Sequence, residues 1–139
     1  MRQPRASDAP PASTGQSRLR AVNQSRGTVL CAQLENAGGM SGQSRGLLGR
    51  DGLEPGMGML FDNQRWTPFM WMHMFFMRFA IDIVFLGRDN TVIRINRRLA
   101  PWHVSSIVFG ARKALELPAG AAEQSSTQVG DQITFEALN

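Results

Sequence analysis

From Thr28 onward the apolar residues of this chain come in short runs, most of them bounded by glycine, proline, asparagine or aspartate. The runs are residues 29–34 (VLCAQL), 56–61 (GMGMLF), 69–76 (FMWMHMFF), 78–86 (RFAIDIVFL), 91–96 (TVIRIN), 111–117 (ARKALEL) and 132–136 (QITFE). Runs this short, rich in Val, Ile, Phe and Thr and bounded by turn formers, read as strands. Gly87, Arg88, Asp89 and Asn90 between the fourth and fifth runs predict a hairpin with a four-residue loop. Residues 99–110, with Pro101, Trp102 and His103, read as a long loop. One helix is expected, within residues 36–48, where Met40, Ser44, Leu47 and Leu48 share a helical face. Four glycines there cost about 1 kcal/mol each relative to alanine, so any helix is short and depends on packing. The fold class that follows is mainly β, a small sandwich or barrel with one short helix.

Residues 1–26 differ in kind. They are rich in Pro, Ser, Gln, Ala and Arg and hold almost no large apolar side chain. Such a segment cannot bury enough surface to offset its ordering entropy. It is expected to be a disordered basic tail, with a single domain over 27–139. The charge divides the same way. Residues 1–26 carry five arginines against one aspartate, whereas 27–139 carry ten basic and ten acidic residues. The sequence pI of about 10.9 therefore comes from the tail. A neutral domain lacks the field that steers a protein to phosphate, so no specific nucleic-acid binding is expected.

No run approaches the ~20 apolar residues of a membrane span, and no signal-peptide pattern opens the chain. The expectation is a cytoplasmic protein with no membrane partner. Cys31, the one cysteine, lies mid-strand between apolar residues and reads as a buried, unreactive thiol. No P-loop, dinucleotide-binding glycine pattern, zinc motif or Ser-His-Asp order occurs, and no cofactor or metal is expected.

Six stretches in order carry a resemblance. They are SRGLLGRDGL (44–53), GMGMLF (56–61), FMRFAIDIVFL (76–86), LAPWH (99–103), ARKALELPAG (111–120) and VGDQITFE (129–136). Over about residues 28–136 the chain resembles the prokaryotic domain of unknown function family 192. The resemblance implies a compact, mainly β, jelly-roll-like domain, and it implies no enzyme activity. Ala80 departs from the pattern, where proline is expected before Ile81 and Asp82.

Five residues stand out as a candidate ligand cleft. Asp82 is the one polar group in a run whose two faces are otherwise apolar. A buried carboxylate must be paired or hydrogen-bonded, so Asp82 either bonds an arginine or backbone amides or forms the base of a cleft. Glu116, in ALELP, reads first as an exposed strand glutamate; alternatively it could face Asp82 and form an acid/base pair. His73 lies in WMHMFFM, where alternation sets Met72 and Met74 on the opposite face and so argues against a soft-metal site. Arg94 shares a strand face with Asn96 and Arg98, and with Trp102 and His103 could form an anion or sugar site. Each has a plain structural reading as well.

Three functional classes remain. A non-catalytic binding module for a small polar molecule, such as a carbohydrate, needs an aromatic-lined cleft. An enzyme needs two titratable groups within about 10 Å in one cleft. A scaffold or protein-interaction domain needs an exposed apolar patch beyond a few hundred Å². The binding module is placed first.

Overall fold

The computed structural model describes residues 18–37, 47, 50–63 and 67–138. Among the described residues nine strands and one short α-helix follow in the order β1 (Arg18–Asn23), β2 (Thr28–Asn36), β3 (Met57–Asp62), β4 (Phe69–Met70), β5 (Ile81–Leu86), β6 (Val92–Leu99), β7 (Val108–Phe109), β8 (Lys113–Pro118), α1 (Ala121–Gln124) and β9 (Ile133–Ala137). Seven strands form one sheet in the order β6-β5-β8-β3-β2-β1-β9. Only β2 and β3 run parallel within it.

The sheet curls until its edge strands meet. Thr91 bridges Gln132, the Val92 N–H donates to the Asp131 carbonyl at 2.9 Å, and the Gly130 N–H donates to the Val92 carbonyl at 2.8 Å. Curling encloses one core, with Leu34, Leu60, Val84, Leu115, Leu117 and Ile133 at its centre. A second core lies on the outer face of β3, β5 and β8, where Met59, Phe61, Ile81, Ile83 and Phe85 meet Met74, Met77 and Val108. All six residues of β5 are buried as a result. Alternation sends each to one of two apolar layers.

The mainly β architecture matches expectation, and so does the hairpin. Its turn is a single 3₁₀ turn at Arg88–Asn90, where Asp89 and Asn90 take the left-handed backbone that Asp and Asn tolerate. The helix expected within 36–48 lies almost wholly outside the described residues. The helix that is described, α1, falls at a segment the sequence reading left without an element.

The tail boundary at residue 26 needs correction. Residues 18–23 are β1, hydrogen-bonded between β2 and β9 inside the main sheet. Its buried residues are Ala21 and Asn23, too small or too polar to announce a strand. Asn23 is held because its amide donates to Thr127 Oγ1 at 3.0 Å and to Asp131 Oδ2 at 2.9 Å. Burial alone would raise the Asp131 carboxyl, but the hydrogen bonds from Asn23, Gln128 and Arg26 together hold it below the usual aspartate value. Residues 1–17 lie outside the described residues.

Candidate functional site

The structure separates the two carboxylates. Asp82 pairs with Leu117 across the β5–β8 ladder, and Ile83 pairs with Glu116. Neighbours in a strand point to opposite faces, so Asp82 turns to the enclosed core and Glu116 to the outer one. The reading in which they face each other across a cleft does not fit this register, and the plainer reading of Glu116 as an exposed strand residue is corrected too, since it is buried.

Asp82 is structural in its contacts. A register shift in the β5–β6 ladder between Ile81 and Ile83 frees the N–H of Arg98, which takes a left-handed φ of 49°. That N–H donates to Asp82 Oδ1 at 2.8 Å, and the Ala122 N–H of α1 donates to Oδ2 at 3.0 Å. The N-cap of α1 is Gly120, which has no side chain to offer. Asp82 supplies that acceptor from another strand. Both bonds go to backbone amides, one of the two kinds of partner foreseen.

Glu116 lies between Met59 and Ile83 on the outer face of the sheet, 6% exposed. Loss of solvent pushes its carboxyl up to about 7. The Cys31 thiol, buried and donating to the Gly56 carbonyl at 3.3 Å, is likewise pushed up by burial, to about 11. That fits an inert thiol.

His73 and Trp102 belong to a different feature. Residues 69–74 and 102–109 run antiparallel as an irregular ribbon over the outer core. Phe69 pairs with Phe109, Met70 with Val108, and His73 bridges Val104. Alternation is strict over the first half. Met70, Met72 and Met74 turn toward the sheet, while Phe69, Trp71, His73 and Phe75 face out. On the second half Trp102, Val104, Ile107 and Phe109 are also exposed.

These rings touch in sequence. His73 stacks on Phe75 with centroids 4.9 Å apart, Phe75 lies 6.3 Å from Trp102, and Trp102 lies 4.8 Å from Phe76. Phe76 is 70% exposed, Trp102 60% and Phe109 73%. Phe76 and Trp102 hold φ of 64° and 67°, a left-handed backbone that bulky residues rarely adopt and that costs about 1–3 kcal/mol each. Their side chains project from the loop tips instead of folding into the core below. From Phe69 to Phe75 the outward row extends about 20 Å at strand rise. The six exposed Phe and Trp rings present on the order of 600 Å², taking roughly half of the 150–250 Å² such a side chain carries.

Arg94 stands beside this ridge. Its Nη2 donates to Ser106 Oγ at 3.1 Å, and Asn96 Nδ2 donates to the same oxygen at 3.2 Å. The bulge removes Arg98 from that set. The five candidate residues therefore form no single cleft. Two are buried on opposite faces, and three lie on or beside an exposed ridge. Among the described residues no cluster of three or more His, Cys, Asp or Glu could hold a metal ion. An open groove of about 320 Å³, lined by Val29, Ala32, Pro55, Ala119 and Gln124 among others, has no titratable side chain. No described helix is long and apolar enough to cross a membrane.

Phe75, Phe76, Ile107 and Phe109 were not singled out in the sequence. The period-two alternation of methionine with aromatic residues in residues 69–75 was the available signal.

Residues 21–135 match the model of the family DUF192, described as an uncharacterised ACR. The chain belongs to the DUF192 family. A UPF0127 protein of Pyrococcus abyssi is 27% identical over 115 residues, 82% of this chain and 95% of that one. A UPF0127 protein of Thermococcus sibiricus is 34% identical over 65 residues, 47% of this chain; the aligned part spans only 42% of that relative's length. Two solved structures share the fold. One, from Sinorhizobium meliloti 1021, is described as a proposed transcription regulator, with TM-score 0.73 and 27% identity over 89% of this chain and 96% of that one. The other, a protein of unknown function from Novosphingobium aromaticivorans, has TM-score 0.74 and 23% identity over 96% and 99%. The match over residues 21–135 begins inside β1, in line with the corrected boundary.

Proposed function

We propose that this DUF192 domain is a non-catalytic docking module that holds a macromolecular partner against its aromatic ridge. One observation carries the reading: the outward face of the ribbon formed by residues 69–76 and 102–109 is apolar, continuous and exposed, with strained backbone at two of its tips. Monomeric proteins rarely leave an apolar patch of several hundred Å² uncovered unless it binds something. Strain held at Phe76 and Trp102 lowers stability without adding core contacts, which fits selection for display.

Two other readings are weaker. An acid/base enzyme using Asp82 and Glu116 would need both in one cleft, and they point to opposite faces of the sheet. A carbohydrate platform would favour rings in one plane. Here neighbouring rings are tilted by 38° at Phe75–Trp102 and 58° at Phe76–Trp102. Transcription regulation, proposed for the S. meliloti relative, would call for a basic reading face, and the exposed ridge is apolar.

The test compares wild type with Phe76→Ser, Trp102→Ser and Phe109→Ser. Rings kept for docking can be removed with no loss of melting temperature. A fall of more than about 5 °C, equivalent to roughly 1–2 kcal/mol in a domain of this size, would return the ridge to a structural role. A thermal-shift screen with soluble oligosaccharides runs beside it. A rise that the Trp102→Ser variant loses would favour the carbohydrate reading.

A further inference from the structure

We infer that the partner of the ridge is an anionic lipid surface, on which the loop tips at Phe76 and Trp102 insert. This rests on the docking reading above and names its partner; it departs from the sequence expectation of no membrane partner.

Charge is the first argument. Residues 67–80 and 92–110, which build the ridge and the strand beside it, contain no aspartate or glutamate. They carry Arg78, Arg94, Arg97 and Arg98 in addition to His73 and His103; Arg97 and Arg98 reach toward Thr127 and Glu123, so Arg78 and Arg94 are the arginines beside the ridge. The only ion pairs of these arginines among the described residues, Arg78 with Asp51 and Arg98 with Glu123, are well exposed and so contribute little. Arg94 meets only the neutral Ser106 hydroxyl in its one side-chain bond. An apolar ridge flanked by Arg78, Arg94 and two histidines, with the exposed Asp51 paired to Arg78, keeps a net positive rim and is complementary to an anionic acceptor. Each basic group near an anionic bilayer contributes about 1 kcal/mol, within a Debye length of the surface. A second copy of the chain would instead bring like-charged rims together across a two-fold axis.

Shape is the second argument. The most exposed rings project from turns, and their planes are mutually tilted. A rigid protein partner would need a groove matched to each ring. A bilayer interface deforms around them and needs no such match. Trp and Phe favour that interface because an apolar ring can enter the hydrocarbon boundary while the indole N–H stays near water.

The test is co-sedimentation of the full chain with vesicles of phosphatidylcholine alone and of phosphatidylcholine mixed with phosphatidylglycerol. Sedimentation equilibrium without lipid runs in parallel. The expected result is binding to the mixed vesicles, several-fold weaker binding to the neutral ones, and loss of affinity as salt rises. Phe76→Ser/Trp102→Ser, folded by circular dichroism, should bind mixed vesicles at least about tenfold more weakly, since two rings leave the apolar phase. Bromine-labelled lipid should quench the fluorescence of the wild type and not that carried by the remaining tryptophans of the double variant. No vesicle binding, or binding unchanged in the double variant, overturns the proposal; the unchanged case assigns the binding to basic groups outside the ridge. If vesicles fail but the wild type self-associates and the double variant does not, the docking reading survives with a second copy as occupant. If the double variant melts well below wild type, both readings fall together.

Discussion

Asp82 satisfies two donors that the backbone leaves open. One is the Arg98 N–H at a bulge, and the other is the first turn of a helix whose own cap is a glycine. A hydrogen bond to a charged group contributes about 1.5–3 kcal/mol. Asp82→Ala should therefore cost about 3–5 kcal/mol in chemical denaturation. Asp82→Asn keeps one acceptor oxygen but turns an amide toward the other N–H, and should cost about half as much. A loss below about 1 kcal/mol for the alanine variant would contradict the structural role. Glu116 makes the opposite prediction. Its carboxyl rises from 4.5 to about 7 on folding, so the folded state prefers the protonated form. The stability linked to it is fully present below pH 4.5 and is lost as pH rises through 7, by about 3 kcal/mol. Glu116→Gln should flatten that slope and exceed wild type in stability at pH 8. A variant that is weaker than wild type at pH 8 would mean that the charged form is held by a partner.

At the scale of elements, β1 decides where the domain starts. It lies between β2 and β9, so without it β9 loses its ladder and Asp131 loses Asn23. A chain beginning at residue 27 should fail to unfold cooperatively, and circular dichroism across a thermal scan will show it. A truncated chain with the melting temperature of the full one would restore the disordered-tail expectation. The strands legible in the sequence were those with Val, Ile or Phe on a buried face, such as β5 and the β5–β6 hairpin. β1 was not legible because RLRAVN buries an alanine and an asparagine, and the amide's partners lie 104 and 108 residues away. The α1 turn was illegible for a related reason, since its capping carboxylate comes from β5.

For the whole molecule, one sheet carries two cores. Strands β3, β5 and β8 contribute to both, so loosening either layer exposes the other. Unfolding should be a single transition, with tryptophan fluorescence, to which Trp71 and Trp102 of the ribbon contribute two of the three indoles, coincident with far-ultraviolet circular dichroism, reporting the sheet. A fluorescence transition that comes first would make the ribbon a separate unit.

The sequence alone determined the fold class, the hairpin, the buried thiol and the burial of Asp82. Each of those rests on local alternation and on the cost of burying a charge, which neighbouring residues reveal. It also held the alternation that turns Trp71, His73 and Phe75 away from the methionines. Only the tertiary structure decided which of those two faces meets water. A strand that is apolar on both sides does not say which side a core will cover, and here the outer core took the methionines and left the rings exposed. It likewise decided that Asp82 and Glu116 part company, because that depends on which residues of β5 and β8 stand opposite each other, and pairing between distant strands is not written in either one.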